Sequence, residues 1–268
     1  MHEEAIEIES NGNYFRIVLN KLTEDLEKEI ETKLADYCYG STFVEDDPES
    51  TTLENVLHEF FRTYDAKPHN VKVGLAGELV FYILYPNLSL NLAITSIYFN
   101  KEESNVKKGF DLTFFSSDEK ELWYGEIKSG ELNGIDCINQ KIEERIKEAA
   151  QGLYAMFKTN VAAKRWDAAK LDAYVTLKGA ERTSVLQLLG NDKNEALKET
   201  EIKQKNAIVV GVVMHDHLRD KISMNPIAGI QLTNEQQTFF AKRKIIAIQQ
   251  DEVESIIELL RAKAKKQK

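Results

Sequence analysis

Residues 71–84, VKVGLAGELVFYIL, are apolar on nearly every side and carry one acid, Glu78. A segment that is hydrophobic all round predicts a helix buried inside a larger protein, and Gly74 and Gly77 predict close approach to a neighbour. Three strands and a long helix are predicted to follow, at 94–100, 110–116, 122–129 and about 134–158. A helix, three strands and a helix in this order predict an α/β core with a mixed sheet flanked by helices.

The segments around this core predict a second region at the N-terminus. Further elements are predicted from the spacing of apolar residues: strands at 13–20 and 206–214, and helices at 22–37, 52–64, 165–177, 181–190 and 251–264. The polar loop 65–70 follows the second of these helices. We therefore expect residues 1–68 to form an N-terminal accessory layer that binds a partner. Residues 69–268 are expected to form the main domain, with a C-terminal helical extension.

The charge of the chain limits how it can bind nucleic acid. Its 268 residues include 35 Lys and Arg against 44 Asp and Glu, a formal net charge of −9. This acidic balance argues against a protein that holds nucleic acid over a broad basic surface. Two small basic clusters, AKRK at 241–244 and RAKAKKQK at 261–268, are each interpreted as a solvated helix face or a frayed tail.

The N-terminus and the cysteines predict a cytoplasmic protein. The opening segment, MHEEAIEIES, is acidic where a signal peptide would be basic and then apolar. The most apolar run, 207–214, is too short to span a bilayer and predicts a buried strand. Cys38 and Cys137 are isolated and lack metal-type spacing, as expected in a reducing compartment. We therefore expect no association with a membrane.

Two acids are predicted to face each other across a hairpin. The polar turn 116–121 favours a register in which Phe115 pairs with Leu122. Continuing this ladder places Asp111 opposite Glu126, and the alternation of side chains puts both on one face of the sheet. Opposed carboxylates repel and normally destabilise a sheet. The arrangement therefore predicts a divalent cation between them.

The neighbouring residues suit chemistry at such a cation. Mg²⁺ prefers oxygen ligands and commonly combines one or two carboxylates with substrate phosphate. Lys128, on the same strand face as Glu126, would orient water or stabilise charge on a phosphate. The backbone carbonyl of Ile127 is a candidate further ligand. Glu78 is a third candidate, because a lone carboxylate in a buried helix is costly unless it is paired or bound to metal.

Each of these residues also has a structural interpretation, and the sequence leaves both open. Glu126 and Lys128 can form an ordinary salt bridge on an exposed strand. Asp111 can cap the start of a strand, and Glu78 can be a satisfied core carboxylate or lie at an exposed edge of its helix. The coincidence of the residues, in order and on suitable elements, favours the metal site.

The same residues resemble those of a known nuclease superfamily. Glu78 on a helix, Asp111 after KKGF, and Glu126-Ile127-Lys128 on the next strand together resemble the PD-(D/E)xK nucleases, although a phenylalanine stands where the superfamily name has proline. Within that superfamily, the segments GLAGELVFYIL, KKGFDLTFF and LWYGEIKSG resemble the HamA family, the nuclease subunits of the bacterial Hachiman anti-phage defence system. The resemblance covers about residues 70–155.

The resemblance implies a PD-(D/E)xK-like fold and a metal-dependent deoxyribonuclease that works with HamB, a superfamily 2 helicase. It implies that Asp111 and Glu126 hold Mg²⁺ or Mn²⁺ at the DNA backbone. Lys128 would be the catalytic lysine, and Glu78 would complete the site.

The resemblance also suggests two residues on the helix that follows the strands. Some relatives add a glutamine and a tyrosine on the helix after the strands, which Gln151 and Tyr154 would match.

The alternative function is a catalytically inactive subunit with a nuclease fold, which serves interaction or nucleic-acid sensing. The intact set of Asp111, Glu126 and Lys128 favours the enzyme.

Overall fold

The computed structural model describes residues 4–99, 109–132, 137–158, 163–198, 203–215, 220–251 and 254–266. Within these ranges, seven strands form one sheet: β1 (Ile6–Asn11), β2 (Tyr14–Leu19), β3 (Ala93–Ile94), β4 (Leu112–Ser116), β5 (Glu121–Glu131), β6 (Lys205–His215) and β7 (Phe240–Asp251). Their order is β1-β2-β7-β6-β5-β4-β3. Strands β2, β7, β6 and β5 are parallel, whereas the β1–β2, β5–β4 and β4–β3 pairs are antiparallel.

Helices cover both faces of this sheet. In the described residues they are α1 (Glu24–Tyr39), α2 (Ser41–Asp46), α3 (Leu53–Asp65), α4 (His69–Leu84), α5 (Ile138–Lys158), α6 (Ala163–Thr176), α7 (Gly179–Leu197), α8 (Met224–Ala228), α9 (Asn234–Phe239) and α10 (Glu254–Lys266). A 3₁₀ turn, Tyr85–Leu88, follows α4. The predicted α/β class, with a mixed sheet flanked by helices, is confirmed.

Each face of the sheet has its own hydrophobic core. Helices α1, α3, α4 and α10 bury their apolar sides in one core, together with Ile127 of β5. Helices α5 to α9 contribute to a core on the other face, together with Tyr124 of β5. Because side chains alternate along a strand, successive residues of β5 point into different cores.

Close approach of α4 to the sheet depends on one of its two glycines. A Cβ at Gly77 would stand 1.8 Å from the Oγ of Ser129 on β5, so no larger residue fits there without movement. A Cβ at Gly74 would have nothing within 4 Å. The predicted role in close approach is therefore confirmed for Gly77 and is wrong for Gly74.

The described part of the N-terminal region, predicted at 1–68, joins the same sheet and core. Strand β2 pairs with β7 from Tyr14 opposite Ile245 to Leu19 opposite Gln250. Helices α1 and α3 pack into the core that also holds α4. Neither the sheet nor the core is therefore interrupted at residue 68. The partner-binding role of this region stays a prediction.

The strand predicted at 94–100 is much shorter in the structure. Only Ala93–Ile94 pair with β4 as β3. Beyond Thr95 the chain turns away, because the backbone N–H of Tyr98 donates to the carbonyl of Tyr37 in α1 at 2.7 Å. The start of the helix predicted from about 134 lies partly outside the described residues, and α5 begins at Ile138.

The interpretation of the basic cluster 241–244 as a helix face or tail is wrong. These residues open β7, an interior strand between β2 and β6. The charged start is tolerated because Lys242 is exposed and forms ion pairs with Glu119 and Glu121, at 2.9 and 2.8 Å.

None of the helices in the described ranges combines the length and the apolarity that crossing a membrane requires.

Candidate active site

The hairpin of β4 and β5 has the predicted register. Phe115 pairs with Leu122, and the ladder runs back to Leu112 opposite Gly125. Asp111 immediately precedes β4, one step beyond this last pair. Its Oδ2 accepts a hydrogen bond from the backbone N–H of Ile127, at 3.1 Å. The aspartate therefore lies beside the middle of β5, and its side chain joins the start of β4 to that strand.

Glu126 is the buried acid of this hairpin. It is 3% exposed and faces α5, where a Cβ at Gly152 would come 3.2 Å from its Oε1. Burial, and then the charge of Asp111, raises the pKa of Glu126 to about 8. Among the described residues, no donor reaches its buried Oε2. This carboxyl group therefore retains an unused oxygen and a strong tendency to bind a proton or a cation.

Lys128 stands on the same strand face and partly offsets this tendency. Its Nζ donates to Oε1 of Glu126 at 2.5 Å, while its side chain remains 38% exposed. Burial pushes the pKa of Lys128 down, but the charges of Glu126, Asp111 and Glu78 outweigh burial, so the pKa is raised. The lysine is therefore a fully protonated donor with one end of its side chain in solvent.

Glu78 reaches this cluster from another layer. It lies on α4, which packs on the sheet face opposite to that of Glu126. Glu78 is half-buried, and its charge contributes to the raised pKa of Lys128. The structure thus brings Asp111, Glu126 and Lys128 together on one face and places Glu78 within electrostatic range of the lysine.

The acids present suit a magnesium-like ion held by few protein ligands. Within the described ranges, no three His, Cys, Asp or Glu side chains converge closely enough to form a metal cluster by themselves. The pair of Asp111 and Glu126 nevertheless offers oxygen ligands, including the Oε2 that lacks a donor. Mg²⁺ often takes one or two carboxylates and completes its shell with water and substrate phosphate. The donor set fits such an ion, and the metal roles of Glu78 and of the Ile127 carbonyl stay predictions.

Gln151 and Tyr154 both contact α9. The side-chain amide of Gln236 donates to Oε1 of Gln151 at 3.0 Å. The hydroxyl of Tyr154 donates to Glu235 at 3.3 Å, and its ring packs edge-on against Phe239. Both residues thus join α5 to α9, and their role in the site stays a prediction.

Arg165 is a charged neighbour of the site that sequence reasoning missed. It is half-buried at the start of α6, and its Nη1 donates to the carbonyl of Met156 at 2.8 Å. Burial lowers the pKa of Arg165, and the charge of Glu126 opposes that shift. No spacing in the sequence links Arg165 to the strands, because only the packing of α6 brings it near.

Comparison with known proteins identifies the family. A comparison with curated proteins finds no match. A comparison with protein-family models finds the HamA family, over residues 2–264 of the 268-residue chain. The match includes Asp111, Glu126 and Lys128 as well as both flanks of the region that carried the resemblance. The chain belongs to the HamA family.

Proposed function

We propose that this chain is a metal-dependent deoxyribonuclease that hydrolyses phosphodiester bonds as the nuclease subunit of a Hachiman system. Membership of the HamA family supports a role in anti-phage defence. The observation that carries the enzymatic part is the carboxyl group of Glu126. It is buried beside Asp111, has an oxygen that no described donor reaches, and has a pKa raised to about 8. Perturbed acids of this kind concentrate at functional sites.

Asp111 and Glu126 would hold the ion, Mg²⁺ or Mn²⁺. When bound there, such an ion would polarise the phosphate and lower the pKa of a coordinated water. The backbone N–H of Ile127 holds the carboxylate of Asp111 in place. Burial of Glu126 against α5 likewise limits the freedom of its side chain. Both ligands are therefore positioned before an ion arrives, which favours binding.

Lys128 would act on the DNA phosphate. Its ammonium group is held by Glu126, and its side chain is 38% exposed. A fixed cation at this point stabilises negative charge that develops on phosphate oxygens during hydrolysis. Glu78 would contribute through its charge, because it helps to keep Lys128 protonated.

A helicase partner would deliver the substrate. The formal net charge of −9 opposes tight binding of DNA to this chain alone. We propose that HamB, a superfamily 2 helicase, brings DNA to the site and that the nuclease by itself has poor access to DNA. This arrangement would limit damage to the DNA of the host.

The decisive experiment is a nuclease assay on the purified chain, with and without its helicase and ATP. Linear and supercoiled DNA are incubated with Mg²⁺, with Mn²⁺ or with a chelator. We expect cleavage that requires a divalent ion and that rises when the helicase and ATP are present. Cleavage that persists in the chelator would contradict the metal site. DNA binding without cleavage under every condition would establish the inactive alternative instead.

A further inference from the structure

A pocket lies at the end of the sheet where β7 begins. Its volume is about 750 Å³, in the range of small-molecule sites. Trp123 of β5 forms part of its wall, beside three consecutive cations of β7, Lys242, Arg243 and Lys244. Trp123 stands three positions before Glu126 and belongs to the opposite core. The pocket is therefore distinct from the candidate active site.

Trp123 carries a buried hydrogen-bond donor in the wall of this pocket. It is 4% exposed, and its Nε1–H finds no acceptor among the described residues. An indole N–H only donates, and a buried tryptophan normally finds a partner. Trp166, the other tryptophan of the chain, follows this rule because its Nε1 donates to the hydroxyl of Tyr124 at 3.1 Å. The donor of Trp123 is therefore unsatisfied among the described residues, but it lies below the accessible surface of the wall.

Lys244 supplies a charge beside this donor. Its Nζ lies 5.4 Å from the ring centre of Trp123 and 5.7 Å from that of Phe15. No carboxylate in the described ranges forms an ion pair with Lys244, which is half-buried, and burial lowers its pKa. Lys242, two residues earlier, differs because it is exposed and paired with acids. The charge of Glu119 offsets the lowered pKa of Lys244 only in part, so an anion in the pocket would compensate this lysine further.

The remainder of the wall favours an anion that carries a ring. The pocket is much larger than an inorganic ion requires, and Leu90 and Leu92 offer half-buried apolar contact. The side-chain amides of Asn13 and Asn91 can bond the edge of a heterocycle. Two acids, Asp118 and Glu119, also line the pocket, but Lys242 engages the second of them.

We propose that this pocket binds a nucleoside phosphate, with the phosphate charge facing Lys244 and Arg243 beside the ring of Trp123. The base would lie against Leu90 and Leu92. Such a group occurs in free nucleotides and at a phosphorylated end of a DNA strand. The proposal does not depend on nuclease activity, since it concerns binding at a different site.

Binding is measured by calorimetry on the full chain with AMP, ATP and a 5′-phosphorylated oligonucleotide, and with adenosine as the control without phosphate. We expect saturable binding of at least one phosphorylated probe, with adenosine weaker by about tenfold or more. The probe that binds identifies the source of the ligand. No saturable binding of any phosphorylated probe up to about 1 mM overturns the proposal.

Matched variants locate the site. Lys244→Met should weaken binding by about tenfold, whereas Lys242→Met should leave the affinity within about twofold. Lys244→Met should also raise the melting temperature without ligand, since it removes a half-buried charge, and should lose the ligand-induced rise. Wild-type affinity in Lys244→Met, or equal losses at Lys242 and Lys244, would overturn the assignment.

Tryptophan fluorescence gives a test that a purely structural role of Trp123 would not affect. Trp166→Phe leaves Trp123 as the sole tryptophan. Its emission should then change and saturate with the same affinity that calorimetry gives. Unchanged emission at a ligand concentration that saturates calorimetry would place the ligand elsewhere.

Discussion

Gly152 of α5 lies directly against the buried carboxyl group of Glu126. A methyl group at position 152 would come 3.2 Å from Oε1 and 3.7 Å from the carboxyl carbon. Glycine inside a helix costs about 1 kcal/mol of stability relative to alanine. The chain accepts this cost at a position where any side chain would fill the space beside the carboxyl group of Glu126.

Gly152→Ala should therefore separate stability from activity. The added methyl group displaces the carboxyl group of Glu126 by a few tenths of an ångström, while the helix gains up to about 1 kcal/mol. We expect metal-dependent cleavage to fall by about tenfold or more, since misplaced catalytic groups are costly. The free energy of unfolding should change by less than about 1 kcal/mol. Cleavage rates and denaturant unfolding measure both.

Gly74→Ala is the matched control for this change. Gly74 also lies within a helix, but a Cβ there meets nothing within 4 Å. This variant should gain up to about 1 kcal/mol of stability and keep its cleavage rate. Equal losses of cleavage in both variants would show that the space beside Glu126 has no special importance.

Two substitutions of Asp111 distinguish its charge from its hydrogen bond. Asp111→Asn keeps an oxygen that can accept from the N–H of Ile127, and it relieves a repulsion of about 0.2–1 kcal/mol. Asp111→Ala loses this acceptor and should cost about 1–3 kcal/mol. We expect the metal-free melting temperature to be kept or slightly raised in the first variant and lowered in the second.

Both variants should lose most of the rise in melting temperature that Mn²⁺ or Mg²⁺ produces in the wild type, because a ligand stabilises only the state that binds it. Asp118→Asn, an exposed change in the turn of the same hairpin, should keep that rise. A destabilised Asp111→Asn protein that still cleaved DNA would contradict the metal role and leave a structural role for Asp111, the hydrogen bond to Ile127.

The raised pKa of Glu126 predicts how the stability of the metal-free protein depends on pH. Between about pH 4.5 and 8, the folded protein keeps a proton on Glu126 that the unfolded chain has released. Because the folded state binds more protons, its free energy of unfolding should fall as pH rises through this window. Glu126→Gln cannot titrate and should show a smaller fall. Denaturant unfolding at several pH values, without metal, measures the two slopes.

Metal binding should show the complementary dependence. A cation requires the carboxylate form, so the affinity for Mn²⁺ should rise with pH up to about 8. Identical pH slopes for the wild type and Glu126→Gln would mean that this carboxyl group is not the one whose pKa is raised.

Lys128→Ala should abolish catalysis and leave assembly intact. It removes the cation beside the acids, and a fixed charge of this kind contributes about 10²–10³ in rate. Glu126 loses its partner at 2.5 Å, but it keeps a proton below about pH 8, so no buried charge is left unpaired and the fold should survive. Lys147→Ala, an exposed change on α5 that breaks the ion pair with Glu143, is the control. Cleavage at the wild-type rate by Lys128→Ala with its helicase would refute the assignment.

Much of the hairpin was predictable because its geometry is local. A polar turn between two alternating strands determines which residues pair, and the pairing of Phe115 with Leu122 follows from it. The same regularity put Asp111 beside Glu126. The helices before and after the hairpin were equally accessible, since apolar spacing along one segment needs no distant partner.

The position of β7 within the sheet could not be predicted in this way. Its opening residues, AKRK, have the composition of a solvated segment, yet the strand lies inside the sheet between β2 and β6. The pairing of Tyr14 with Ile245 joins residues from opposite ends of the chain. Strand propensity depends on such neighbours and not on the segment alone.

The sequence by itself determined the α/β class, the hairpin register and the presence of Glu126 and Lys128 on one strand face, because each depends on periodicity over a few residues. Tertiary structure alone decided that Gly152 and Arg165 stand near Glu126 and that Glu78 approaches from the other face. It also decided how deeply Glu126 is buried, and burial is the largest cause of its raised pKa. These properties depend on which helix covers which face, and that choice is made by packing between segments that are distant in sequence.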